Sequence, residues 1–223
     1  MEFVLDNGSI RVALSAAGGS FTSIAANGRV YLWQGDPAVW SGRAPICFPI
    51  CGGLRDGRAM TMGGREVKLA RHGFARKQEW KLEGQGDNMV ALSLSSADHA
   101  ELLEQYPFPF KIVARYTVDA AKVIVSYEVI NEGTEDMPFF VGGHPGFKCP
   151  LDEGESYDDY ELRFDQREAA ELCTAVPSTG LIDVEHRSKN PMIGHDLPLT
   201  HELFDFAETI FDVLESRVVT LTK

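Results

Sequence analysis

The chain has 223 residues, 44% of them hydrophobic, and its 33 acidic against 21 basic side chains leave a formal charge of −12. All-β folds run to about 200–250 residues without splitting, so residues 1–223 are expected to form a single domain. The acidic balance argues against an anionic polymer or an acidic membrane surface, and neither nucleic acid nor lipid is expected as a partner.

No apolar run approaches the ~18 residues that span a bilayer. The first residues, Met1-Glu2-Phe3-Val4-Leu5-Asp6, offer neither the basic n-region nor the apolar h-region of a signal peptide, so the cytoplasm is the expected location. Cys47, Cys51, Cys149 and Cys173 are too few for a disulfide framework in a chain of this size. Cys47 and Cys51 lie in Ile46-Cys47-Phe48-Pro49-Ile50-Cys51, whose apolar company reads as core, and no second close pair completes a zinc site.

Taken in chain order, the apolar residues recur with period two. Ile10, Val12 and Leu14 alternate with Arg11 and Ala13, and Val90, Leu92 and Leu94 alternate with Ala91 and Ser93, as in half-buried strands. Asp98 with Glu101 caps a short helix through Gln105, which Pro107 and Pro109 stop. Phe110, Ile112, Ala114, Tyr116 and Val118 then form one face of a long strand. A turn at Asp119-Ala120-Ala121-Lys122 returns the chain as Val123, Val125, Tyr127 and Val129, and Asn131-Glu132-Gly133 ends the hairpin. The acidic stretch Asp152 to Glu161 reads as a solvated loop, and a second short helix follows Thr200. Neither helix is long enough to cover a sheet, so the sheets must bury their apolar faces on each other, as in an antiparallel sandwich or barrel.

Two histidines stand in stiff backbone frames: Arg71-His72-Gly73-Phe74-Ala75-Arg76 and Gly142-Gly143-His144-Pro145-Gly146-Phe147. Glycine permits close backbone approach and proline fixes the exit of the chain, so the direction of each imidazole is controlled. An imidazole held this way exchanges protons near neutral pH, because its unperturbed pKa is ~6.5. His99, His186, His195 and His201 lack such frames and are expected at the surface.

Several segments, in order, resemble aldose 1-epimerases of the LacX-like branch. They are Tyr31-Leu32-Trp33-Gln34-Gly35-Asp36-Pro37, Arg43-Ala44-Pro45-Ile46-Cys47-Phe48-Pro49-Ile50-Cys51-Gly52-Gly53-Leu54, the two histidine segments continued to Leu151, and Ile210-Phe211-Asp212-Val213-Leu214-Glu215-Ser216-Arg217. The resemblance spans nearly the whole chain. It implies a galactose-mutarotase-like antiparallel β-sandwich whose sugar cleft interconverts the α and β anomers of a free hexose, with no metal or other cofactor. Ring opening needs a base on the C1 hydroxyl and an acid on the ring oxygen. By motif, His144 is implied as that acid, and His72 as the residue that binds and polarises the sugar.

The resemblance also implies substrate-binding residues. Many relatives carry an arginine directly after the glycine of the Phe-Pro-Ile-x-Gly segment, where this chain has Gly53, so Arg55 and Arg76 are the candidate replacements. Asp212 is similar in motif position to the sugar-binding aspartate, and Trp33, Trp40, Trp80, Phe74 and Phe147 are the aromatics able to face a sugar ring. Family members continue beyond Ser216-Arg217-Val218-Val219-Thr220-Leu221 with strands that carry a glutamate base, whereas this sequence stops at Lys223. The domain is thus expected to be C-terminally incomplete, and its last strand to recruit a second chain. A carbohydrate-binding relative without turnover is the alternative function, and a metal-dependent enzyme using both histidines as ligands is a third.

Overall fold

Strands dominate the computed structural model, which describes residues 1–205 and 208–223 and divides into two units, Met1–Lys148 and Cys149–Lys223. In the first unit, β1 (Glu2–Asp6), β2 (Ile10–Ser15), β3 (Phe21–Ala26) and β4 (Arg29–Val30) form one antiparallel sheet in chain order. The short β5 (Ile46–Cys47) follows, then a small hairpin of β6 (Arg58–Met60) and β7 (Glu66–Lys68). A second four-stranded sheet comprises β8 (Lys81–Gln85), β9 (Met89–Ser95), β10 (Phe110–Asp119) and β11 (Lys122–Asn131), in the order β11-β10-β9-β8. Finally β12 (Gly142–Gly143) pairs antiparallel with β5.

The period-two pattern explains how these sheets meet. Phe3, Leu5, Val12 and Leu14 of the first sheet join Val90, Leu92, Ile112 and Ala114 of the second in one buried cluster. Each such side chain contributes roughly 1.5–3 kcal/mol through burial. β9 lies between β8 and β10 and is buried on both faces, with Val90, Leu92 and Leu94 alternating with the small residues Ala91, Ser93 and Ser95. The expected long hairpin is present, with Val118 opposite Val123 and Asp119 opposite Lys122. Its second strand is an edge, so Val123, Tyr127 and Val129 are half-buried while Val125 is 36% exposed. The two short helices of the sequence reading are 3₁₀ turns, Ala100–Glu104 and His201–Phe204.

The second unit is also built from strands. β13 (Glu161–Phe164) lies between β16 (Asp196–Pro198) and β17 (Val219–Thr222), while β14 (Leu172–Val176) and β15 (Leu181–Ser188) form a hairpin with a bulge after Cys173. Tyr160, Phe164, Leu172, Leu197 and Leu199 are buried. The buried Glu168 carboxylate is satisfied by the backbone N–H groups of Glu215 and Ser216, at 3.2 and 2.7 Å. Such pairing is what allows a charged group to be buried without a large penalty.

Candidate active site

Residues 43–52 run as a tape between the loop carrying His72 and the segment carrying His144. On one edge, the Phe48 carbonyl accepts from the Phe74 and Ala75 amides at 3.0 and 3.3 Å, and the Gly52 carbonyl accepts from the His72 amide at 2.7 Å. On the other edge, the Arg43, Pro45 and Pro49 carbonyls accept from the Gly146, His144 and Phe140 amides at 2.7, 3.0 and 2.9 Å. The tape is anchored from below by Phe48, which is fully buried and packs its ring against Phe74, Tyr106 and Phe110. Two histidines distant in sequence are thereby mounted on one support. Their rings meet with centroids 5.3 Å apart and planes inclined by 30°.

Backbone geometry accounts for the glycines of the first frame. His72 and Gly73 both adopt left-handed conformations, with φ of 65° and 69°. A Cβ on Gly73 would lie 2.1 Å from the Phe48 carbonyl oxygen, so only glycine lets the loop close onto the tape. His72, a non-glycine residue in that region, holds backbone strain of about 1–3 kcal/mol, which surrounding structure sustains most often at functional sites. His72 therefore lies in a turn, and strand periodicity does not relate it to Arg76.

One ring nitrogen of His72 is engaged by a backbone donor. The Gly52 amide donates to Nδ1 at 3.0 Å, which makes Nδ1 the acceptor and places the proton of the neutral ring on Nε2. His144 is more exposed, and Trp40 packs edge-on against it with ring centroids 5.5 Å apart. Trp40 is itself braced, because the Trp33 indole N–H donates to its carbonyl at 2.7 Å. Of the remaining aromatic candidates, Phe74 and Trp80 are core at 4% and 2% exposure, whereas Phe147 is exposed.

The arginine candidates separate. Arg76 follows Phe74 in a 3₁₀ turn, donates to the Arg71 carbonyl at 2.8 Å, and lies close enough to Cys47 to favour its thiolate. With Trp40, Arg43 and Lys77 it lines an open groove of about 440 Å³, so Trp40 is a wall shared by the groove and His144. Arg55 begins an exposed 3₁₀ turn. Asp212, in the second unit, accepts from both Arg187 terminal nitrogens at 3.0 and 2.7 Å. That guanidinium, with a further hydrogen bond involving Cys173, holds its carboxyl well below the ordinary carboxylate range.

His186, His195 and His201 are exposed and His99 is half-buried, close to the expectation for unframed histidines. The cysteine pair divides. Cys47 is buried, and its thiol is pushed up to about 11 chiefly by burial, whereas Cys51 is exposed. Gly142 faces the Cys51 sulfur, which would lie 3.0 Å from a Cβ at that position. Among the described residues, no group of three His, Cys, Asp or Glu side chains converges as a metal site would require. Sequence reading did not single out the Gly52 amide or Tyr127. The first carries no side-chain signal, and the second read only as one apolar position on a strand face.

The paired antiparallel sheets and the glycine-framed histidines place this chain in the class of galactose-mutarotase-like β-sandwiches. A galactose mutarotase related enzyme from Lactobacillus acidophilus superposes with a TM-score of 0.84 at 28% identity, over 94% of this chain and 68% of that one. A galactose mutarotase-like protein from Lactobacillus casei gives 0.85 at 27% identity, over 100% of this chain and 75% of that one. The LacX protein encoded on a plasmid of Lactococcus lactis subsp. lactis is 39% identical over 227 residues, covering 99% of this chain and 75% of LacX. The model of the Aldose 1-epimerase family matches residues 1–221. The chain belongs to the aldose 1-epimerase family, in its LacX-like branch.

Proposed function

We propose that this protein interconverts the α and β anomers of a free hexose in the cytoplasm by acid/base ring opening. The observation that carries this reading is the ring-to-ring approach of His72 and His144 at 5.3 Å on a single rigid support. His144, the more exposed of the two, protonates the ring oxygen as the C1–O5 bond breaks, while a base removes the C1 hydroxyl proton. Rotation about C1–C2 and reversal of both transfers close the ring as the other anomer. His72 donates from Nε2 to a sugar oxygen, a role for which the Gly52 amide on Nδ1 prepares it. Trp40 offers the flat apolar face beside His144, and Arg76 supplies hydrogen bonds from the groove. Asp212 is assigned no part while it is paired with Arg187, and Arg55 stays a candidate for substrate binding.

Polarimetry of freshly dissolved α-glucose and α-galactose tests the proposal. Mutarotation is expected to accelerate with protein present, and His144→Ala to lose roughly 10²- to 10⁴-fold of that rate, the usual worth of positioned proton transfer. Sugar affinity with an unchanged mutarotation rate would instead identify a carbohydrate-binding relative.

The groove favours one variant of this reading. Arg43, Arg76 and Lys77 cluster there despite the net charge of −12, a grouping suited to a phosphorylated hexose. Free and 6-phosphorylated hexoses assayed side by side decide between the two substrates.

A further inference from the structure

The two most deeply buried tyrosines of the first unit use their hydroxyls structurally. Tyr106 donates to the Pro138 carbonyl at 2.9 Å, and Tyr116 donates to the Gly19 carbonyl. A phenol whose ring packs in a core ordinarily finds such a partner. Tyr127 differs. Its ring packs against the core from β11, yet its hydroxyl has no hydrogen-bond partner among the described residues and is not sealed from solvent. The hydroxyl ends beside Gly143, 3.1 Å from where a Cβ on that residue would lie. Gly143 immediately precedes His144, and the next glycine back, Gly142, gives room to the Cys51 sulfur in the same way. The glycine pair of the second histidine frame thus clears space for one phenol and one thiol. An unpartnered hydroxyl held at the edge of the His144 segment is placed to bind a polar ligand.

We propose that the Tyr127 hydroxyl contacts substrate directly, exchanging hydrogen bonds with a hydroxyl of the bound hexose other than the one at C1. The proposal rests on the reading of the histidine pair as the ring-opening site. Burial, then the neighbouring Cys47 and Cys51 thiols, pushes the phenol up to about 12, so it remains neutral where mutarotation is assayed. It therefore positions sugar as a donor and acceptor and is not the base that takes the C1 proton.

Tyr127→Phe removes the oxygen and keeps the ring packing. Its kcat/KM for the preferred hexose is expected to fall about 5- to 10-fold, the worth of one neutral hydrogen bond to substrate. Across 2-, 3-, 4- and 6-deoxyglucose, one analogue should show equal kcat/KM with wild type and variant, which identifies the contacted hydroxyl. Gly143→Ala provides a positional check. Its methyl displaces the phenol oxygen in the wild-type background, and the resulting loss should largely disappear in Tyr127→Phe, where that oxygen is gone. If the wild type is active and Tyr127→Phe matches it on every sugar, this inference falls while the ring-opening reading stands. If the wild type accelerates nothing, the ring-opening reading falls, and calorimetric hexose binding then decides: weakening by Tyr127→Phe supports the contact, and unchanged or absent binding overturns it.

Discussion

In the unit Met1–Lys148, His72 and His144 are aimed by main-chain hydrogen bonds, whereas in the unit Cys149–Lys223 Asp212 is fixed by the side chain of Arg187. The difference decides what each group can still do. Main-chain bonds of this kind fix where each imidazole sits. A carboxylate with both oxygens in a bidentate ion pair must share or surrender that pair before it can bind a sugar. Motif position places a residue type, while the manner of its support determines its availability.

The sharpest break in this comparison comes from glycine. Gly73 and Gly180 both have positive φ, at 69° and 67°, but a Cβ on Gly73 meets the Phe48 carbonyl oxygen at 2.1 Å, and one on Gly180 meets nothing within 4 Å. Gly73→Ala should therefore cost about 4 kcal/mol or more, in the range reserved for severe steric conflict. Gly180→Ala should cost about 1 kcal/mol from the left-handed backbone alone. Denaturant unfolding of the two variants measures the contrast. Equal losses would show that the histidine loop is not locked onto the tape.

A smaller effect tests the other side. Asp212 has a folded-state pKa depressed below its ordinary value of 3.8, first by Arg187. A depressed acid contributes stability that is fully present above its unfolded pKa and is lost as pH falls through the folded one. Asp212→Asn should therefore unfold at lower denaturant than wild type at pH 7. The gap should begin to close as pH drops below about 4, where the unfolded-state carboxyl takes up its proton. Mutarotation, if His144 carries it, should change less than twofold. A large activity loss in Asp212→Asn with stability intact would return Asp212 to the sugar site.

Much of this architecture is legible in local pattern. Ile10–Leu14, Val90–Leu94 and the hairpin from Phe110 to Ile130 alternate with period two and form strands because one buried face fixes their register. The histidine frames are legible too, through Gly73, Gly142, Gly143 and Pro145. The tape of residues 43–52 is not, because it has almost no periodicity and is defined by carbonyls that serve amides far along the chain. For the same reason the Arg187–Asp212 pair and the approach of Tyr127 to Gly143 leave no local trace. Arg76 reads as sharing a face with His72 only if His72 is on a strand, and its left-handed backbone removes that premise.

The smallest effect concerns sheet edges. β17 occupies one end of the order β16-β13-β17, pairs on one side with β13 through Glu161–Phe164, and presents Val219 at 48% exposure. An edge strand with apolar residues and no inward charge is a template for pairing with another chain. The first unit has an edge of the same kind at β11, where Ile124 is 47% exposed. There, however, Ser126 and Glu128 interrupt the outward face, whereas β17 carries no charge between Val219 and Thr222. Weak, concentration-dependent self-association is therefore expected through β17 before β11. Light scattering across a dilution series should show it, and Val219→Lys should suppress it while Ile124→Lys does not. A monodisperse monomer at all concentrations would show that neither edge recruits a second chain, and suppression by Ile124→Lys alone would reverse the ranking of the two units.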